Sequence, residues 1–99
     1  MTKEWRTVQI FLEPTSFKIY EVELDTASST NIRCNCSIFV ENRTCKHSRY
    51  VQNHMKKNNG HYAIQISSSV TDTDVLEAMQ NPDTFRYFVI KNAKIEVLH

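Results

Sequence analysis

Between Thr7 and Leu12 the apolar residues Val8, Ile10 and Leu12 recur at every second position, the period of a half-buried strand. Glu13-Pro14-Thr15-Ser16 follows with turn chemistry, since proline presets the backbone of a second turn position. Phe17 to Leu24 resumes with β-branched and aromatic residues, so the two segments predict a hairpin. A polar connection spans Asp25 to Thr30. Asn31 to Cys36 is again extended, with a pattern that can continue through Ser37–Val40 before Glu41-Asn42-Arg43 turns the chain.

The period then changes. Thr44 has N-cap chemistry, and a helix is expected from Cys45 or Lys46 to Asn58, ended by Gly60. Val51 and Met55 lie four apart on one side of it, as a core-facing pair would. Tyr62, Ile64 and Ile66 alternate as a strand within His61–Ser67. Ser68 to Asp74 carries helix-start residues, with a short helix over Val75–Gln80. Asn81 can cap a further helix with Pro82 in its first turn and Phe85, Phe88 and Val89 as its buried stripe. Lys94 to Leu98 alternates as a last strand. The sum predicts an α+β fold: a small, mainly antiparallel sheet packed with helices.

Composition changes this picture in two places. Ninety-nine residues, 40% of them hydrophobic, suit one modest core over residues 1–99, without a linker or repeat to divide it. No apolar run approaches the length of a membrane span. Met1–Arg6 leads into alternation, not into the apolar run of a signal peptide, so an intracellular setting is expected, cytoplasmic or nuclear, or a host cytoplasm for a viral protein. The overall charge of +1 hides an asymmetry: from Asn31 to His61 six bases face the single acid Glu41. The middle is basic and its flanks are acidic.

Cysteine placement is the sharper signal. The three cysteines, Cys34, Cys36 and Cys45, fall within twelve residues, and His47 stands two past the last. An odd count in a reducing compartment speaks against a disulfide framework. On an extended segment, residues two apart face the same way, so Cys34 and Cys36 can converge on one ion. On a regular helix residues two apart diverge. Cys45 must therefore sit at or before the helix start, with His47 in its first turn and Ser37–Thr44 as the connecting loop. Three thiolates and an imidazole suit tetrahedral Zn²⁺.

The same residues admit rival readings. Buried cysteine is often a small hydrophobe. Thiol redox motifs use Cys-x-x-Cys, not Cys-x-Cys. A closed four-donor shell leaves no open position for a substrate, and there is no phosphate-cradling glycine loop, supported carboxylate pair or nucleophile elbow, so an enzyme is not expected. His54 lies two helical turns beyond His47, about 10 Å by rise, too far to share the ion.

The order Cys34-x-Cys36, eight residues, Cys45-x-His47 resembles the SWIM-type zinc finger. That resemblance covers residues 25–59 or so, and implies a ββα zinc-binding finger within the α+β fold, two strands followed by a helix, with Cys34, Cys36, Cys45 and His47 as zinc ligands. It also implies a module that binds DNA or protein. Arg43, Lys46, Arg49, Lys56 and Lys57 surround the expected helix. With Lys46 at zero, Lys57, Arg49 and Lys56 fall at about 20°, 300° and 280°, a basic face suited to phosphates. Nucleic acid binding through this face is the leading expectation. The alternative is a zinc-stabilised protein-interaction adaptor, such as a viral or accessory protein docking on a larger machine. The aromatic residues, Trp5 among them, are read as core or strand-face residues.

Overall fold

The computed structural model describes residues 4–25 and 31–98. Most of the polar connection expected at residues 25–30, and His99, lie outside the described residues. The hairpin forms as β1 (Trp5–Glu13) and β2 (Lys18–Asp25), antiparallel, with Glu13 opposite Lys18 and Trp5 opposite Asp25. Phe17, at φ 55°, closes the connection in the left-handed region and stands exposed, not in a strand face. A short β3 (Ile32–Cys34) pairs antiparallel with the outer edge of β2, completing a three-stranded sheet in sequence order.

Simple alternation does not survive along β1. The register shifts between Thr7 and Gln9, so Val8 sits in a bulge. A bulge adds a residue to one strand and breaks its parity. Val8 consequently joins Phe11 in one core cluster that does not include Ile10, although the expected pattern put Val8, Ile10 and Leu12 together. Phe11 lies opposite Tyr20, and Gln9 opposite Val22 and through it Cys34, so these share a face. Ile10 and Glu21 share the other.

Each face is covered by a helix. α2 (Lys46–Lys57) buries Val51 and Met55 against Phe11, Val22 and Leu24. The opposite face meets α4 (Pro82–Asn92), anchored by the fully buried Val89 and by the Arg86–Glu21 ion pair at 2.6 Å. Of the other two helices, α1 (Ser37–Asn42) packs against β3 and α3 (Asp72–Ala78) against α4. The molecule is thus α+β, a three-stranded antiparallel sheet with four helices among the described residues.

Three expectations need correction. Ser37–Asn42 is a helix, not a continued strand or open loop. Six residues rise about 9 Å as helix against about 20 Å as strand, and the shorter path returns the chain to the cysteines it left. Only Phe39 of that helix is buried, and Arg43 ends it at φ 61° with its N–H on the Phe39 carbonyl. Second, His61–Ser67 and Lys94–Leu98 are not full strands. Ile66 bridges Ala93, and Glu96 bridges Phe11 in parallel. The Gln9 side chain takes the Lys94 carbonyl at 2.7 Å, occupying an acceptor that a longer ladder would need. Third, the helix expected over Val75–Gln80 starts earlier, because Thr71 and Asp74 form a reciprocal cap.

Candidate metal centre

β3 and two helix starts converge on one point. Cys34 is the last residue of β3, and Cys36, at φ −77° and ψ 153°, is the extended residue that opens α1. Both hold extended backbone and point the same way, as two-residue spacing requires. Cys45 is the N-cap of α2, at φ −156° and ψ 172°, and His47 is in its first turn. The cap is therefore Cys45 and not Thr44. Its sulfur accepts the Ser48 N–H at 3.4 Å, while the Ser48 hydroxyl accepts the Cys45 N–H at 3.0 Å. A sulfur thus completes the capping box in which an oxygen is usual.

The donor atoms of Cys34, Cys36, Cys45 and His47 all lie within 4.8 Å of one another, and all four residues are buried. His47 Nδ1 stands 3.7 Å from Cys34 Sγ and 3.8 Å from Cys45 Sγ. Bonds of ~2.3 Å to sulfur and ~2.0 Å to nitrogen at tetrahedral angles put ligand atoms roughly 3.6–3.8 Å apart. The spacing fits a metal ion at the centre. Phe11 and Tyr20 hold the imidazole between them, with ring centroids 4.8 and 5.0 Å away. All three cysteines are free of disulfides.

Electrostatics points the same way. Burial pushes the Cys34 thiol well above its ordinary range; a Cys36 backbone N–H pulls it down, and the neighbouring thiols Cys45 and Cys36 raise it again. Burial also acts on Cys45, but hydrogen bonds from Ser48 and from the Cys36 and Cys34 thiols outweigh it and lower the pKa. Three thiolates in one buried cluster repel one another unless a cation sits among them. His47 is lowered chiefly by burial and then by Lys46, against an opposing pull from Glu13. Its neutral form, the one that ligates a metal, is favoured.

No family model, curated protein or solved structure matches this chain. The four side chains singled out by spacing are arranged to hold a metal ion. His54 is excluded from that cluster: its Nδ1–H donates to the Tyr50 carbonyl at 2.8 Å, and its ring stacks on Tyr50. His61 is exposed.

The five basic candidates divide. Arg43, Lys46, Arg49, Lys56 and Lys57 are all exposed. Lys46, however, pairs with Glu13 at 3.2 Å, tying the end of β1 to the first turn of α2. Arg49 donates to the Thr44 hydroxyl at 3.5 Å. Arg43, Arg49, Lys56 and Lys57 make no ion pair among the described residues. Sequence reasoning missed Arg33, whose guanidinium lies 4.3 Å over the Trp5 ring and pairs with Glu23 at 3.1 Å. Alternation could have placed Arg33 on the face opposite Cys34, but its aromatic partner lies on β1 and shows only once the strands are paired.

Among the described residues, no helix is long and apolar enough to cross a membrane.

Proposed function

We propose that residues 1–99 form one zinc-stabilised binding unit of the SWIM-like kind, in which the ion is structural and the basic surface beside it binds nucleic acid. The observation that carries this reading is the closed set of three sulfurs and one imidazole nitrogen, buried and within 4.8 Å. Soft thiolate donors with an imidazole in a tetrahedral cage suit Zn²⁺ above harder divalent ions. Cys34, Cys36, Cys45 and His47 would hold it, and bound zinc supplies a covalent tie between β3 and the mouths of α1 and α2. With four protein ligands, no coordination position is left for a substrate, which supports a binding role over an enzymatic one.

The likeness to the SWIM-type finger rests on ligand order and on strands followed by a helix. The stretch between Cys36 and Cys45 departs from a plain loop by folding as α1. The nucleic-acid part rests on the exposed cations Arg43, Arg49, Lys56 and Lys57, which stand outside the ion pairs of the described residues. Fluorescence anisotropy with labelled single-stranded and duplex DNA and RNA tests it. Binding tighter than ~100 µM at physiological salt, weakening as salt rises, is expected. Charge reversal of Arg49 and Lys57 together should reduce affinity while metal content stays at one ion per chain. Absence of salt-dependent binding to every probe contradicts it.

One observation favours the adaptor alternative. Leu76, Met79 and Tyr87 stand exposed on or beside α3 and α4. Recovery of a protein partner that survives nuclease treatment and is lost on Leu76→Asp with Tyr87→Asp would support that reading.

A further inference from the structure

We propose that the cleft between the start of β1, β3 and the α1–α2 corner receives an unpaired nucleobase of a single-stranded nucleic acid, with the Arg33 guanidinium, stacked on Trp5, as the platform for the base. This rests on the nucleic-acid reading above and specifies the form of strand and the residues that meet it. The cleft has a volume of about 520 Å³, and Trp5, Arg33, Arg43 and Gln52 line it. That is within the range of sites that take one small organic group.

Arg33 is built as a plane more than as a charge. One face of its guanidinium covers the Trp5 ring at 4.3 Å. Its edge is fixed by Glu23 through two hydrogen bonds, Nε to Oε1 at 3.2 Å and Nη2 to Oε2 at 3.1 Å. The carboxylate offsets the positive charge and holds the plane still. Its side chain is nonetheless 48% exposed and borders the cleft. Nucleobases stack on guanidinium planes as they do on aromatic rings. A base pair inside a duplex has both faces covered by its neighbours, so this platform selects an unpaired base.

Phosphates have separate partners. Arg49, Gln52 and Lys56 fall three and four apart on one face of α2, and Gln52 lines the cleft. Arg43 reaches it from the α1 C-cap, at φ 61°. A non-glycine residue there is strained, and strain of this kind collects at binding sites. An amide that can meet a base edge, cations outside the ion pairs of the described residues and a stacked plane together form the recognition set for a nucleotide in a strand. A bare phosphate would use only the cations.

Trp5 is the chain's single tryptophan, so its emission reports on the platform directly. The metal-loaded full chain is titrated with oligothymidylate, with a blunt DNA duplex and with inorganic phosphate. The single strand is expected to quench Trp5 saturably and to bind tighter than duplex or phosphate. Arg33→Lys keeps the charge and removes the plane, so it should weaken the single strand about fivefold or more, the effect of losing one base stack. Arg43→Glu with Lys56→Glu should weaken binding and flatten its salt dependence. Metal content and far-ultraviolet circular dichroism establish that each variant is folded; should Arg33→Lys disturb the fold, Gln52→Ala on the exposed side of α2 carries the same comparison. Unchanged affinity and quenching in the Arg33 or Gln52 variant overturn the cleft while leaving nucleic-acid binding standing, as does preference for duplex. Binding to no probe overturns both.

Discussion

Between Trp5 and Lys57 the chain buries Val8, Ile10, Phe11, Val22, Leu24, Phe39, Val51 and Met55 along with the four donor residues, whereas from Tyr62 to Leu98 only Ala78 and Val89 are buried among the described residues. The second region leaves Leu76, Met79, Tyr87 and Ile95 well exposed. Its helices are held by reciprocal caps, Thr71 with Asp74 and Asn81 with Thr84. Polar ties attach it to the sheet. Gln9 accepts the Tyr62 hydroxyl at 2.7 Å and donates to the Lys94 carbonyl, and Glu96 exchanges backbone hydrogen bonds with Leu12 and Ile10. The contrast teaches that a small chain can concentrate its fully buried apolar residues and its donor cluster in one region and fasten the remainder with hydrogen bonds and a few apolar contacts, Val89 beneath α4 and Tyr62, Ile64 and Leu98 against the core. The two regions should therefore fail in different ways.

Metal removal should separate them most. Structural zinc contributes on the order of 10 kcal/mol in small fingers, comparable to the whole stability of a domain. Cys45→Ser, or treatment with a strong chelator, is expected to expose residues 31–58 to protease first, because β3, α1 and α2 meet at the ion. Limited proteolysis read by mass spectrometry checks this. Cleavage confined to residues 62–98 would reverse the comparison.

Core truncation comes next. Phe11 is 1% exposed, packs at a tilt against His47 and meets Tyr50 edge to face. Phe11→Ala should cost about 3–5 kcal/mol, measured by denaturant unfolding of the metal-loaded protein, and should also loosen metal binding because the imidazole loses its support. Val89→Ala should cost about 1–2 kcal/mol and leave metal affinity unchanged. Equal effects of both on metal affinity would mean that the two regions are not separable.

The smallest effects belong to the caps and surface pairs. Asn81→Ala removes the acceptor for the Thr84 N–H and should lower stability by about 1 kcal/mol, a fall of roughly 4–8 °C in Tm. Arg86→Ala breaks the ion pair to Glu21, yet the arginine side chain is 55% exposed, so the loss should stay below about 1 kcal/mol. Differential scanning calorimetry resolves the two.

Much of this was legible before the fold was known, for physical reasons that differ by segment. The hairpin and α2 announce themselves through period, and the donor set through spacing. Two-residue spacing has a fixed meaning on extended backbone, and Cys45 and His47 had to straddle a helix start. The bulge at Val8 was not legible, since parity breaks only when a partner strand is present. Ser37–Asn42 misled because Ile38, Phe39 and Val40 suit a strand as well as a helix turn; the need to return Cys45 to Cys36 decides it. The late segments with Ile66 and Glu96 alternate like strands, but a side chain, Gln9, occupies the carbonyl that would have extended their ladder. Arg33 on Trp5 was invisible for a related reason: its partner is twenty-eight residues away across β2.

X-ray absorption at the zinc edge of the purified, folded protein tests the central claim most directly. The account predicts one zinc per chain with three sulfur neighbours at ~2.3 Å and one nitrogen at ~2.0 Å. A folded protein without zinc, or a zinc shell of oxygen and nitrogen only, would contradict it.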